Sequence, residues 1–441
     1  MNNFKVTITD VQHIKSLEYE VDLTQNGITC IVGKNGIGKT TLIKAIGNYK
    51  SADTFEKTSS PYIFKASSKI KYEIDAVTYE YTSVKVAGKL VLDTKDILSQ
   101  DIQKNISVEL PIPHGERFKF FQNLGEIDND LRSAIATKSY QIPKELIALL
   151  TSVYKDNRFK NLKEIELKNK KYYFILLDDD YYIREDYFSS GEYFVISIYK
   201  LLQNRCKLIV IDEIDISLDS SAQVELIDKL RELVNIYESN IIFTTHSLAI
   251  MKKMKQDELY YMEKLNHKVI IEKKSYNFIK SLLFQFDGFE RCILTEDKML
   301  ENYIKFILKN ENIFHKYKII YIGGCSNVID LLDRNTQSHF FGDSNVISIL
   351  DGDAHSNYGH REDVLTIPFE NIESYLHIMY NNGLLDDHIT GNINIQNEKS
   401  CYNEFINRKY LDNNQIFELI NNEKKNAVEA FKIKILEFLN D

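Results

Sequence analysis

The sequence contains no C-x-x-C pair. Its five cysteines (Cys30, Cys206, Cys292, Cys325, Cys401) are scattered, and Cys30 and Cys292 lie in apolar runs. Buried free thiols in a reducing cytoplasm are the expectation. Only five prolines and 17 glycines occur in 441 residues. No low-complexity tract or repeat at a solenoid period is present, so a disordered linker or a repeat array is not expected. No apolar run reaches the roughly 20 residues of a membrane span. The start, MNNFKVTITD, has neither a basic n-region nor an apolar h-region, which argues against a signal peptide and for a cytoplasmic protein off the membrane. Positive charge is also short: 55 Lys and Arg against 64 Asp and Glu leave a net −9. A general nucleic-acid coat is therefore not expected. Contact with DNA or RNA would need local basic patches or cations held by carboxylates.

The length suits two or three domains. Residues Gly33-Lys34-Asn35-Gly36-Ile37-Gly38-Lys39-Thr40 read G-x-x-x-x-G-K-[ST]. An apolar run, Ile28–Val32, precedes them and an apolar-periodic stretch from Leu42 follows. This strand–loop–helix context separates a phosphate-binding loop from an ordinary glycine turn. Glycines let backbone N–H groups curl around phosphates, and the helix directs its positive end at them. ATP contacts are expected from Gly33, Lys34, Asn35, Gly36, Ile37, Gly38, Lys39, Thr40 and Thr41, with Lys39 neutralising β/γ-phosphate charge and Thr40 ligating Mg2+. The run Lys207–Ile211 ends in Asp212-Glu213. Asp212 would hold Mg2+ through water, and Glu213 would orient or deprotonate the attacking water.

Short β-like runs over 61–93 predict an antiparallel meander. Residues 95–168 read as a more helical insertion. After Lys274 a strand–helix alternation restarts and marks a second α/β domain. Three of its apolar runs end in Glu296, in Gly323-Gly324 and in Asp351-Gly352-Asp353. In a parallel sheet such ends share one edge, so Glu296, Asp351 and Asp353 are expected to converge. Clustered carboxylates repel unless a cation joins them, and an all-oxygen set suits Mg2+ or Mn2+ rather than zinc. The alternative is a solvated turn at a strand end.

Two resemblances follow from these residues. Phe188-Ser189-Ser190-Gly191-Glu192, Asp212-Glu213, Ser217-Leu218-Asp219 and Thr245-His246-Ser247, in this order, resemble the ATP-binding-cassette (ABC) ATPases of the repair and chromosome-structure branch. Ser190 stands for the first glycine of the L-S-G-G-[QE] signature and Phe188 for its leucine. The resemblance implies that Ser189, Ser190, Gly191 and Glu192 cap ATP held by a second subunit. It makes His246 a sensor of the γ-phosphate and places Asp219 on a loop crossing the dimer interface. No Gln occurs in 51–93, so the glutamine loop is not identified. Glu296, Asp351, Asp353 and Ile372-Glu373-Ser374-Tyr375-Leu376 resemble the Toprim domain over about 290–380, with Glu373 as a further metal residue. Asp297 stands where its motif has glycine and Leu300 where it has aspartate, one residue before Glu301.

The layout resembles the OLD (overcoming lysogenization defect) family of ATP-dependent nucleases. It implies an ABC-type P-loop ATPase domain at 1–275 with an antiparallel β lobe and a helical insertion. A Toprim-like α/β domain follows at 288–380, then a helical tail at 381–441. It further implies a homodimer or larger assembly, ATP and Mg2+ as cofactors (Mn2+ as an option at the second site), DNA cleavage and anti-phage defence. A second protein or a reverse transcriptase–nucleic acid complex is an implied partner. Lys424 or Lys425 is the candidate for the family's C-terminal basic residue. The alternative is an ATPase sensor whose degenerate second domain binds nucleic acid or a partner without cutting. A topoisomerase lacks room for a domain presenting a nucleophilic tyrosine. A transporter ATPase would have no reason to carry the second acidic set.

Overall fold

Alternation of apolar and polar residues builds the first hairpin. β1 (Asn3–Val11) buries Phe4, Val6, Ile8 and Val11, the period of a strand with one face on a core. A computed structural model describes residues 1–60, 62–111, 128–167, 170–178, 181–284, 288–342, 344–389 and 395–441. They fall into two compact units, Met1–Tyr276 and Asn277–Asp441.

In the first unit β1 is followed by β2 (Ile14–Asp22), β3 (Gly27–Gly33), helix α1 (Lys39–Lys50) and the meander β4 (Phe64–Ile74), β5 (Val77–Val86) and β6 (Lys89–Asp93). Next come β7 (Ile106–Glu109), helix α2 (Lys144–Tyr154), β8 (Leu162–Leu167), β9 (Lys170–Asp178), β10 (Tyr181–Arg184) and helix α3 (Ser190–Gln203). The unit closes with β11 (Leu208–Ile211), helix α4 (Ser220–Ile236), β12 (Asn240–Thr244), β13 (Leu259–Leu265) and β14 (Lys268–Lys273). Eleven strands form one sheet in the order β6-β5-β4-β1-β2-β14-β13-β3-β12-β11-β7. The meander is antiparallel and extends this sheet through β4–β1 pairing. From β13 to β7 the strands run parallel, so the ends of β3, β11 and β12 share an edge. The fully buried β11 (Leu-Ile-Val-Ile) and β12 have a helix on their flank and no polar face to show water.

Among its described residues the 95–168 block holds more helix than strand, with helices Gln100–Lys104, Asp128–Ala136 and α2 and the strands β7 and β8. β7 has four residues, too few to show a period, and its strand form is fixed by parallel pairing with β11. Residues 112–127 of the block lie outside the described set.

The second unit contains β15 (Arg291–Thr295), helix α5 (Lys298–Ile307), β16 (Tyr317–Tyr321), helix α6 (Cys325–Ser338), β17 (Asn345–Leu350) and β18 (Val364–Thr366). All pairings are parallel and the order is β16-β15-β17-β18. Helices α7 (Ile372–Asn381), α8 (Glu398–Asn407), α9 (Asn413–Glu423) and α10 (Lys425–Asn440) follow. The segment expected as a separate tail is part of this unit's core. Cys401, Phe405, Phe417, Ile420, Phe431, Ile435 and Leu439 pack in one cluster with Tyr303, Ile304 and Leu376. The sheet's flank would otherwise expose Leu300, Tyr303, Ile304 and Ile307, the apolar stripe of α5. Among the described residues no helix is long and apolar enough to cross a membrane.

Candidate functional site

The first candidate site is the shared edge of β3, β11 and β12. The loop after β3 curls through Gly36 and Gly38, both at positive φ. Gly38 also lies where a Cβ would come 2.7 Å from Ile14 Cδ1, so no larger residue fits. Lys39 is buried, and its Nζ donates to the carbonyls of Gly33 (2.8 Å) and Lys34 (3.4 Å). Burial lowers its pKa, against the pull of Asp212, Glu213 and Asp215. Thr40 is exposed, whereas Thr41 is buried and donates to Gln12 Oε1.

One hydroxyl organises the acids. Thr244 Oγ1 donates to Asp212 Oδ1 (2.6 Å) and accepts from the Glu213 N–H (2.8 Å). Glu213 needs that hold, because it sits at φ 58 without being glycine, a conformation that persists only where neighbours enforce it. Asp212 Oδ2 is buried with no hydrogen-bond partner. A buried, unpaired carboxylate oxygen on a residue whose charge acts on Lys39 fits a hydrated Mg2+. Burial first, then Asp212 and Asp215, raises the pKa of Glu213, with Lys39 opposing. Such a carboxylate is a competent proton acceptor from water. The exposed His246 donates its backbone N–H to Asp215 Oδ1 (3.3 Å), and Thr245 Oγ1 donates to the same oxygen (2.6 Å). Burial of part of the ring and the Lys39 charge lower the His246 pKa, favouring a neutral imidazole.

A cleft of about 250 Å³ joins Asn35, Gly36, Gly38, Lys39, Thr40, Thr41, Glu213 and His246, with Gln12, His13 and Lys44. No residue of Phe188–Glu192 lines it. Those residues start helix α3. Ser189 is its N-cap in a reciprocal box with Glu192, the Ser189 N–H donating to Glu192 Oε2 (2.8 Å) and the Glu192 N–H to Ser189 Oγ (3.2 Å). Arg158 pairs with the other Glu192 oxygen. Ser190 is exposed at the first turn, while Gly191 packs where a Cβ would meet the Ser217 carbonyl at 2.5 Å. Asp219 is the N-cap of α4, accepting from the Ser221 and Ala222 N–H groups (2.9 and 3.0 Å). Sequence reasoning missed Thr244, Asp215 and Arg158. The first two sit beside the Asp-Glu and Thr-His-Ser motifs.

The second candidate site is the C-terminal edge of the parallel sheet in the second unit. Glu296 follows β15 and Asp351 follows β17. The Asp351 N–H donates to Glu296 Oε1 (2.9 Å). Glu296 also accepts from the Cys325 N–H at the start of α6, so it ties three elements together. Burial raises its pKa, and Asp353 and Asp297 add to this. Asp351 is pushed up to about 8 by burial and by Glu296, Asp297, Asp353 and Glu373 together. The glycine between the two aspartates is required, since a Cβ on Gly352 would fall 2.0 Å from the Phe369 carbonyl.

The convergence is partial. Asp353 is exposed, and among the described residues no three His, Cys, Asp or Glu stand close enough to hold a metal ion as they are. Glu373 lies in the first turn of α7. Asp297 caps α5 by accepting from the Leu300 N–H (2.8 Å), Leu300 is core, and Glu301 pairs with Lys305. Lys424 lies 5.3 Å from the Tyr375 ring centroid, and Lys425 opens α10.

Residues 119–252 match the model of a family described as "AAA domain, putative AbiEii toxin, Type IV TA system". An uncharacterized ABC transporter ATP-binding protein of Methanocaldococcus jannaschii is 25% identical over 325 residues, 71% of this chain and 89% of that protein. The oligopeptide transport ATP-binding protein OppF of Mycoplasma genitalium is 29% identical over 111 residues, 24% of this chain and 13% of that protein. Among solved structures, the SMC head domain from Thermotoga maritima aligns with TM-score 0.34 at 15% identity, covering 62% of this chain and 99% of that one. The Smc head domain from Pyrococcus furiosus bound to the C-terminal domain of ScpA aligns with TM-score 0.39 at 14% identity, covering 64% and 98%. With the phosphate loop and the Asp-Glu strand end, the family-model match and the M. jannaschii relative support an AAA/ABC-type P-loop ATPase domain in the first unit.

Proposed function

We propose that this chain is an ATP-regulated, metal-dependent DNA endonuclease of the OLD type, working as a dimer or larger symmetric assembly. The observation that carries the nuclease reading is Glu296 against the Asp351 backbone, with Asp353 two residues on, at the C-terminal edge of an all-parallel sheet. Ligands and reacting groups gather at that edge in open α/β sheets. The role in anti-phage defence rests on the family resemblance alone.

In the ATPase unit, Lys39 leaves the loop carbonyls for the phosphates, and Thr40 and Asp212 would hold Mg2+. Glu213 accepts the proton of the attacking water, and Thr244 fixes its direction. His246, neutral and exposed, donates to the γ-phosphate. The phosphate cleft lacks the signature residues, so the exposed Ser189 and Ser190 at the α3 N-terminus would close the cleft of a second copy. In the second unit Glu296, Asp351 and Asp353, with Glu373 in support, would hold Mg2+ or Mn2+. That cation supplies charge neutralisation at a phosphodiester and a more acidic water. Glu296, Asp351 and Asp353 would hold it at the sheet edge.

The open spacing of these acids favours a second reading, a sensor whose second unit binds without cutting. One experiment separates the two. Purified protein is incubated with plasmid, linear and single-stranded DNA in Mg2+ or Mn2+, with and without ATP. The nuclease reading expects cleavage that Asp351→Ala and Glu296→Ala abolish while ATP hydrolysis stays near that of the parent. A parent that never cuts, or acid variants that cut like the parent, leaves the sensor reading.

A further inference from the structure

Beside Asp353 the second unit has a cleft of about 720 Å³, within the roughly 300–1,000 Å³ range of sites for small organic groups. One wall is the segment from β18 to Glu370, and the other is helix α10. The inner surface is apolar, with Val364, Ile367, Phe369 and Phe431. On α10 the face turned to the cleft carries Ala427, Ala430 and Lys434, all exposed and two of them too small to fill it. The carboxylates of Asp353 and Glu370, the His355 imidazole and the Lys434 ammonium also line it.

The occupant must therefore combine a flat or apolar body, edge groups that donate to carboxylates, and an anion near Lys434. A nucleotide has all three. Its base has an apolar face and amino donors, which Asp and Glu accept. Asp353 belongs both to this cleft and to the acid cluster, so a base seated here is continuous with a phosphodiester at the cluster. A paired base cannot enter, because its faces are stacked and its edge is taken by its partner.

We propose that this cleft seats an unpaired nucleobase next to the phosphodiester at the acid cluster, which makes single-stranded or locally melted nucleic acid the substrate class. The proposal rests on the nuclease reading above.

The test uses the full chain in Ca2+, with a single-stranded oligonucleotide carrying 2-aminopurine and the matching duplex, followed by cleavage in Mg2+ or Mn2+. Ala430→Leu fills the cleft from an exposed helix position and should leave folding and ATP hydrolysis unchanged. The parent should bind the single strand at least about tenfold tighter than the duplex, and Ala430→Leu should lose about tenfold. Lys434→Ala should weaken binding and reduce the salt slope by about one. Ala430→Leu binding and cutting like a parent that shows no single-strand preference overturns the cleft assignment and leaves the nuclease reading standing. A parent that neither binds nor cuts any nucleic acid overturns both.

Discussion

Asp351 gives the sharpest test of the acid cluster, because its effect on stability has a calculable sign and size. Its carboxyl is pushed up to about 8 from an ordinary 3.8, first by burial and then by the charges of Glu296, Asp297, Asp353 and Glu373. Between about pH 4 and pH 8 the native state therefore holds a proton that the unfolded chain releases. More protons bound in the native state means that stability falls as pH rises through this window. The linkage integral from about pH 5 to about pH 8 is about 4 kcal/mol, using about 1.4 kcal/mol per pKa unit. For a unit of this size that is a fall in Tm on the order of 10 °C. Asp351→Asn keeps the shape and removes the proton. In chelator, scanning calorimetry of the full chain should show the transition of the second unit falling steeply with pH in the parent and much less in Asp351→Asn, with the variant the more stable at about pH 8. Mn2+ should then raise the parent's transition at that pH and leave the variant's in place, since binding to the native state alone stabilises it. Parallel pH slopes for the two proteins would refute the claim that Asp351 sits among uncompensated acids.

The other predictions concern the ATPase unit and one glycine. Lys39→Ala should abolish ATP binding in an equilibrium dialysis assay, and Glu213→Gln should bind ATP but hydrolyse it at least about a hundredfold more slowly, accumulating an ATP-held dimer by sedimentation. Thr244→Val keeps volume but strips the hydroxyl from Asp212 and the Glu213 N–H, both within a buried network. It should cost about 2–5 kcal/mol of stability by chemical denaturation and lower kcat, and an unchanged kcat would show that Glu213 holds its strained backbone unaided. Gly352→Ala should prevent the Asp351–Asp353 turn from seating on the Phe369 carbonyl, giving a second unit with a lowered melting transition at any metal concentration.

The parts of this molecule legible in sequence are those whose chemistry fixes both residue type and spacing. The phosphate loop must be glycine where φ is positive and where Ile14 presses on it, so its pattern survives in one dimension. The buried strand ending in Asp212-Glu213 is equally plain. Four buried apolar residues make a central strand, and in a chain with a phosphate loop the two acids after it belong at the nucleotide edge. In the second unit, the strand ends at Glu296 and Asp351 could be placed on one edge because parallel βα units leave no other arrangement.

What stayed hidden depends on partners distant in sequence. β7 is a strand only because β11 lies beside it. Thr244 reads as one more residue of an apolar strand until its hydroxyl is seen bridging Asp212 and Glu213, 32 and 31 residues away. The C-terminal segment reads as a polar, Asn-rich helical tail ending in an amphipathic helix, and its sequence leaves open where the stripe Val428, Phe431, Ile435 and Leu439 is buried. An amphipathic helix states that it has an apolar partner but not which one. Here it joins one core cluster with the stripe of α5, more than a hundred residues earlier. Burying the α10 stripe also sets Ala427, Ala430 and Lys434, one helical step round, over Asp353. The same packing therefore supplies one wall of the cleft, and Ala430→Leu tests that wall without touching the stripe that holds it in place.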